Sequence, residues 1–311
     1  MELSGSRLLA FEAAMLAGAA AVLSAALLLG SGGLDADLIR VLRLPRVLAA
    51  AGVGALLALA GLAMQVLLRN PLADPYVLGT SGGASVGSLL ALMLGTGIAI
   101  GAAAGALVAG ALLMLLARRA LTATHDASAR LILTGAMLAA VFGALVTLLL
   151  ALTPDERLRG AIFWLVGDLS GAQNGWACLA GAMLFAGFIG LRQRSVDRLM
   201  LGSEAALLLG EPVRRLRLEL LVGASLAAGL AVATAGAIGF VGLVVPHGLR
   251  LAGIQRTRQL AWMSAVGGAA LLVAADLLAR LVAAPLELPV GAVMALLGAP
   301  VFIFFLRREA R

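Results

Sequence analysis

The 311-residue chain has no lysine; all 23 of its basic residues are arginine. That absence excludes a P-loop lysine, a Schiff base and a catalytic ammonium, so the chain cannot be a Walker-type ATPase by itself. Its single cysteine, Cys178, lies within an apolar segment; it supplies neither an intrachain disulfide nor a cysteine metal site and reads as packing. The two histidines, His125 in a loop and His247 beside Pro246, are too few and too scattered for a convergent acid, base or metal set. No catalytic residue and no metal site is therefore expected. Charge is scarce as well: 13% of residues are charged, against about 25% in ordinary soluble domains.

What fills the chain is apolar: 62% of residues are hydrophobic and the mean hydropathy is +1.07. Apolar runs of bilayer-spanning length recur from end to end, which defines an all-α polytopic membrane protein with one transmembrane domain over 1–311 and no separate soluble domain. The segments fall at about 8–30, 47–68, 77–95, 98–117, 130–151, 174–191, 216–235, 238–254, 260–279 and 289–306, giving ten expected transmembrane helices. Glu2 and Glu12 spoil the basic region of a secretory signal, so the first segment is expected to be retained.

The net charge of +7 reads as topogenic charge on short loops, not as a nucleic-acid surface. With both termini cytoplasmic, only Arg40, Arg43, Arg46, Arg157, Arg159 and Arg280 fall outside, and the remaining arginines all lie within, as the positive-inside rule requires. The outer arginines then need a reason to be there. Pairs of small residues such as Gly101 and Gly105 suit close helix packing. Two breaks interrupt the apolar pattern. One, "RNPLADPYVLGTSGGAS", carries Pro71 and Pro75 between the second and third helices; the other places Pro246 as a kink in the eighth. The longest inner connection, 192–217, mixes charge with leucine in two short helical stretches separated by Gly202 and Gly210. It suits either a helix lying on lipid headgroups or a platform for a cytoplasmic partner.

Four blocks carry a resemblance over nearly the whole chain: "RLPR" at 43–46, "NPLADPYVLGTSGGASVG" at 70–87, "LGSEAALLLG" at 201–210 with "GAIGFVGLVVPHGLR" at 236–250, and "ELPVGAVMALLGAP" at 287–300. They are similar to the FecCD- and BtuC-like permeases of type II ABC importers for ferric siderophores, haem and cobalamin. The resemblance implies ten helices in a homodimer set in the bacterial inner membrane and its lipid. It also implies two cytoplasmic ATP-binding subunits that hold ATP and Mg, and a periplasmic substrate-binding protein. No nucleic acid and no cofactor of the chain's own are expected.

Site residues follow from the same match. Leu201, Gly202, Glu204, Ala206, Leu209 and Gly210 would couple to the ATPase within the loop 192–217. Asn70, Pro71 and Leu72 would form a cytoplasmic gate, with Ser128, flanked by Ala127 and Ala129, in the place of a second. Arg43, Arg46 and Arg280 would meet carboxylates of the binding protein, as charge-assisted pairs that orient it. Snorkelling at a helix end is the alternative for the first two. Trp164 and Asp168, in "WLVGDLSG", are candidates for the transport path. Asp168 departs from the small neutral residue common in the family, and is either a helix cap or a specificity feature. The expected cargo is a metal chelate, haem or a ferric siderophore ahead of cobalamin. An ion-coupled secondary transporter is disfavoured because Asp276 and Glu219, the ionisable residues nearest the spans, sit close enough to helix ends to be solvated.

Overall fold

A chain in hydrocarbon must satisfy its backbone hydrogen bonds internally, and the computed structural model does so with helices alone among the described residues, which are 5–30, 33, 35–117, 127–172 and 174–309. In chain order these are α1 (Gly5–Leu28), α2 (Ala36–Leu68), α3 (Thr80–Met93), α4 (Ile98–Leu116), α5 (Ala127–Leu152), α6 (Asp155–Val166) and α7 (Gly175–Leu191). After them come α8 (Gln193–Met200), α9 (Ser203–Leu208), α10 (Val213–Ala235), α11 (Val241–Leu251), α12 (Thr257–Leu281) and α13 (Val290–Glu309). Each of the ten apolar segments read from the sequence holds a helix. By length and composition α1, α2, α4, α5, α10 and α12 can each cross a membrane. The pair α7 and α8, bent by 68°, qualifies as one broken span, and α3, α11 and α13 are shorter apolar helices.

The centre of the bundle is α2. Every residue from Ala49 to Leu68 is buried, and α12, α10, α7 and α11 pack around it. No hydrophobic force drives helices together inside a membrane, so contact depends on how closely backbones approach. Glycine sets that distance here. A Cβ on Gly61 would lie 1.9 Å from the Gly242 carbonyl oxygen, and one on Gly54 would lie 2.2 Å from that of Gly268. The expected Gly101 and Gly105 pair meets α3 in the same way, across from Gly87 and Gly83. Cys178 is fully buried, with its Sγ 3.2 Å from Thr234 Oγ1.

Both breaks are tied to this centre. Asp74 accepts a hydrogen bond from the Tyr76 amide at 2.8 Å and so starts a single 3-10 turn over Pro75–Leu78. The Tyr76 hydroxyl in turn accepts from the Ile238 amide at 3.1 Å, in the non-helical link before α11. Gln65 of α2 donates to the carbonyls of Gly242 and Leu243 at 3.3 and 3.4 Å. Pro246 stands inside α11, and the buried His247 beside it meets Phe302 and Phe305 edge-on. His125 lies outside the described residues.

Two helices are poorly covered. Of the spanning part of α1 only 6% is buried. On α5 the buried seam is confined to Leu131, Gly135, Leu138 and Phe142, while Met137, Val141, Leu148 and Leu152 form an exposed apolar stripe.

Candidate functional site

The Leu44–Leu68 part of α2 runs from the level of Arg43 and Arg46 to the loop 192–217 and separates two ends of the bundle by about 37 Å at 1.5 Å per residue. Early in α2, one π-helical turn over Ile39–Arg43 leads into Leu44–Pro45, and Pro45 stands where the regular α-helical ladder begins. Arg43 is turned inward and 4% exposed. Its Nη1 donates to the carbonyls of Leu27 and Leu28 (3.0 and 3.1 Å) and its Nη2 to that of Gly33 (2.9 Å), capping the C-terminal end of α1. Arg46 Nε donates to Asp276 Oδ1 at 2.9 Å and its Nη1 to Glu287 Oε2 at 2.7 Å. Arg280, one turn beyond Asp276 on α12, lies 3.1 Å from the other carboxylate oxygen and donates to the Ala26 carbonyl.

Arg43, Arg46 and Arg280, three of the six arginines expected on the outer side, are thus brought together around two acids that the sequence reading did not connect to them. Asp276 is fully buried, which corrects the view that it is solvated at a helix end: arginine, not water, neutralises it. Three guanidinium groups against two carboxylates leave the cluster a net positive charge. The cluster lines an open cleft of about 240 Å³, reached past Leu38, Leu42 and Ser170, and Glu287 at its edge is half exposed. Arg40 is exposed beside it.

A second cleft at the same end, about 630 Å³, collects both path candidates. Trp164 and Asp168 line it with Phe163, Arg159, Arg157 and Leu92. Arg159 lies over the Phe163 ring at 5.8 Å, and Arg157 donates to the Leu92 carbonyl. Asp168 accepts from the Ser170 amide at 2.9 Å and from its hydroxyl, the geometry of a turn cap. The segment after α6 is held by the Asp168 amide on the Ala235 carbonyl and by Gly291, where a Cβ would lie 1.7 Å from the Val166 oxygen.

At the opposite end, Arg69 closes α2 in a left-handed conformation (φ 47°) and the Asn70 carboxamide accepts from the Leu72 amide at 2.9 Å, fixing the tight Asn70–Pro71–Leu72 turn. Ser128 begins α5, and its side chain lies outside the described residues. The loop 192–217 folds as α8 and α9 and is pinned by its own polar side chains. Arg217 donates to Ser203 at 2.5 Å, Arg198 pairs with Glu211, and Asp197 accepts from Thr257. A hydrogen bond from Ser195 is the main cause that holds the Glu211 carboxyl below the usual carboxylate range; burial opposes it and Arg198 adds to it. Gly202 (φ 122°) lets the Arg69 guanidinium approach to 3.3 Å of where a Cβ would be, so the end of α2 before the Asn70–Pro71–Leu72 turn touches the loop 192–217.

The six coupling candidates divide by face. Gly202 and Ala206 are buried, whereas Leu201, Glu204, Leu209 and Gly210 are exposed. Sequence reasoning missed Leu207 and Leu208, which complete an exposed leucine ridge; Leu208 is 89% exposed. The run "LLL" before Gly210 was the available signal. Among the described residues no group of three or more His, Cys, Asp or Glu is placed to hold a metal ion.

These features define a class: a helical, multi-pass membrane protein with a polar cleft at one end and a pinned leucine-rich loop at the other. Residues 7–308 match the FecCD transport family, and the chain belongs to it. It is an ABC importer permease of the FecCD and BtuC type, a transport subunit and not an enzyme. It is 44% identical over 285 residues to the vitamin B12 import system permease protein BtuC of Vibrio cholerae serotype O1, a match covering 89% of this chain and 84% of that one. The protein of the same name from Salmonella paratyphi A is 42% identical over 273 residues, covering 87% and 83%. A solved structure described as an inward-facing conformation of a metal-chelate type ABC transporter matches with a TM-score of 0.87 at 27% identity, over 95% of this chain and 98% of that one. The PsaBC structure from Streptococcus pneumoniae, at 17% identity and a TM-score of 0.59, shares the fold.

Proposed function

We propose that the chain is the membrane-spanning half of an ATP-driven importer of a corrinoid of the vitamin B12 type. The observation that carries the cargo is the identity of 42 to 44% to permeases named for vitamin B12 import. It moves the weight from haem or a ferric siderophore, which the motifs alone had favoured, to cobalamin.

In this reading the chain crosses the inner membrane ten times, the broken pair α7 and α8 and the three shorter helices included, with both termini in the cytoplasm. Two copies form the path along their poorly covered α5 helices, past Trp164 and Asp168. A periplasmic binding protein sits over the arginine cleft. Because Arg43 and Arg280 are buried, its carboxylates must enter the cleft and compete with Glu287 for Arg46, so docking is sensitive to salt and to charge at Arg46. On the cytoplasmic side the leucine ridge of α9 docks on a partner ATPase, which holds ATP and Mg. Its movements reach the Asn70–Pro71–Leu72 gate through Arg69 and Gly202. An exposed ridge of leucines outside the bilayer is the mark of such a partner.

The test is uptake into vesicles holding the permease and its ATPase, with binding protein loaded with cobalamin or with haem. Cobalamin accumulation is expected. Accumulation of haem alone would restore the iron-chelate reading.

A further inference from the structure

At the coupling-loop end lies a cleft of about 750 Å³ that none of the roles above uses. It is lined by Gly187, Gly190 and Leu191 of α7, by Gln193 and Arg194 of α8, and by Arg258 and Trp262 of α12. Its charge is unbalanced. Glu219 of α10 is taken by Arg192 and Arg215, and Glu211 by Arg198, which leaves one acid, Asp197 on the neutral Thr257 hydroxyl, against the two arginines of the cleft. Arg194 and Arg258 are exposed and have no ion-pair partner among the described residues.

In the orientation proposed above, the cleft falls at the level of the cytoplasmic headgroups. The chain turns by 68° between α7 and α8, so an apolar helix gives way to a short helix steeply angled to it, and Arg194 is in its first turn. Trp262, half-buried one turn into α12 from Arg258, is the amphipathic ring expected at that level. Towards the bilayer the cleft continues onto an apolar face of α7, with Met183, Leu184 and Leu191 exposed by 70, 76 and 89%. Nothing lies within 4 Å of a Cβ placed on Gly187 or Gly190, so the two glycines leave a groove beside that face.

We propose that this cleft binds one anionic phospholipid, with its phosphate on Arg194 and Arg258 and an acyl chain along Gly187 and Gly190. An excess of arginine over acid calls for a ligand of net negative charge, which a zwitterionic headgroup does not supply. The open apolar groove calls for a chain, which a free phosphate does not have. The assignment rests on the orientation proposed above, but its test does not depend on transport.

Native mass spectrometry of the purified full-length permease, titrated with phosphatidylglycerol or phosphatidylethanolamine, reads the site directly. Wild type should retain one phosphatidylglycerol in preference to phosphatidylethanolamine. Replacing both arginines (Arg194→Gln with Arg258→Gln) should weaken that retention about thirty-fold, at about five-fold per basic residue near an anionic surface. Gly187→Leu with Gly190→Leu, at two positions where an added Cβ meets nothing within 4 Å, should lose the lipid with both arginines in place. Inorganic phosphate at millimolar concentration should not displace it. Equal retention of the two lipids by wild type, unchanged retention in either variant, or displacement by phosphate would overturn the proposal.

Discussion

Truncating Leu208 to alanine separates a docking surface from a structural one. In the chain alone this side chain is 89% exposed, so its removal should leave the fold within about 0.5 kcal/mol of wild type. If the ridge seats in a groove of the partner ATPase, Leu208→Ala deletes three buried carbons at about 0.8 kcal/mol each, roughly 2.4 kcal/mol of association. At 1.4 kcal/mol per decade that is about a fifty-fold weaker complex. Leu208→Asp should do worse, since it also brings a charge into the contact. Titration of the purified ATPase onto immobilised permease measures the affinity, and thermal unfolding in detergent measures the fold. Full affinity with an intact fold would refute the docking assignment, and a large loss of stability would show that Leu208 belongs to the core of the chain.

Three further outcomes follow from the geometry. Gly61→Ala, which drives a methyl to within 1.9 Å of the Gly242 carbonyl, should destabilise detergent-purified protein by about 3 kcal/mol or more, whereas Gly18→Ala, with nothing within 4 Å, should be silent in the same melt. Asp276→Asn strips the buried counter-charge from Arg46 and Arg280. It should cost about 3 kcal/mol, the low end for a broken buried pair, because Arg46 keeps Glu287 and Arg280 keeps the Ala26 carbonyl; an unchanged melting temperature would show that the cluster does not hold α2 to α12. Glu211 is held below the usual carboxylate range, so its contribution to the coupling loop is complete above that range and is lost only as pH falls through the lower, folded-state value. Proteolysis of 192–217 should therefore stay slow down past about pH 4.3 and accelerate below it, and Glu211→Gln should abolish that transition; acceleration in wild type at higher pH would contradict the sign.

How far the sequence disclosed this depended on distance along the chain. Local patterns were legible: all ten apolar runs became helices and the first break fell at Asn70–Pro71, whereas at the second Pro246 stands inside α11 and the non-helical link lies before it, at 236–240. Asp168 caps a turn with Ser170 and not a helix, so the capping was legible from neighbours alone but the element it caps was not. The partners of Arg46 could not, because Asp276 stands 230 residues away, and only the packing of α2 against α12 brings them together. For the same reason the pairing of Gly61 with Gly242 was invisible, although a glycine-rich composition announced that some such contacts must exist. Burial misled most at the arginines: topology required a reason for outward charge, and much of that reason proved to be internal, in carbonyls at the end of α1 and in two acids. The leucine ridge was half seen, since the motif drew attention to Leu209 while exposure singles out Leu208.

The account stands on coupling between an ATPase at one end of this chain and a binding protein at the other. Its most direct test is cobalamin uptake into sealed vesicles holding the permease with its ATPase, with nucleotide confined to the ATPase side and loaded binding protein to the arginine-cleft side. Accumulation that requires both, and that stops when a non-hydrolysable nucleotide replaces ATP, is the result expected. Uptake driven by a proton gradient across vesicles that contain the permease alone would contradict it.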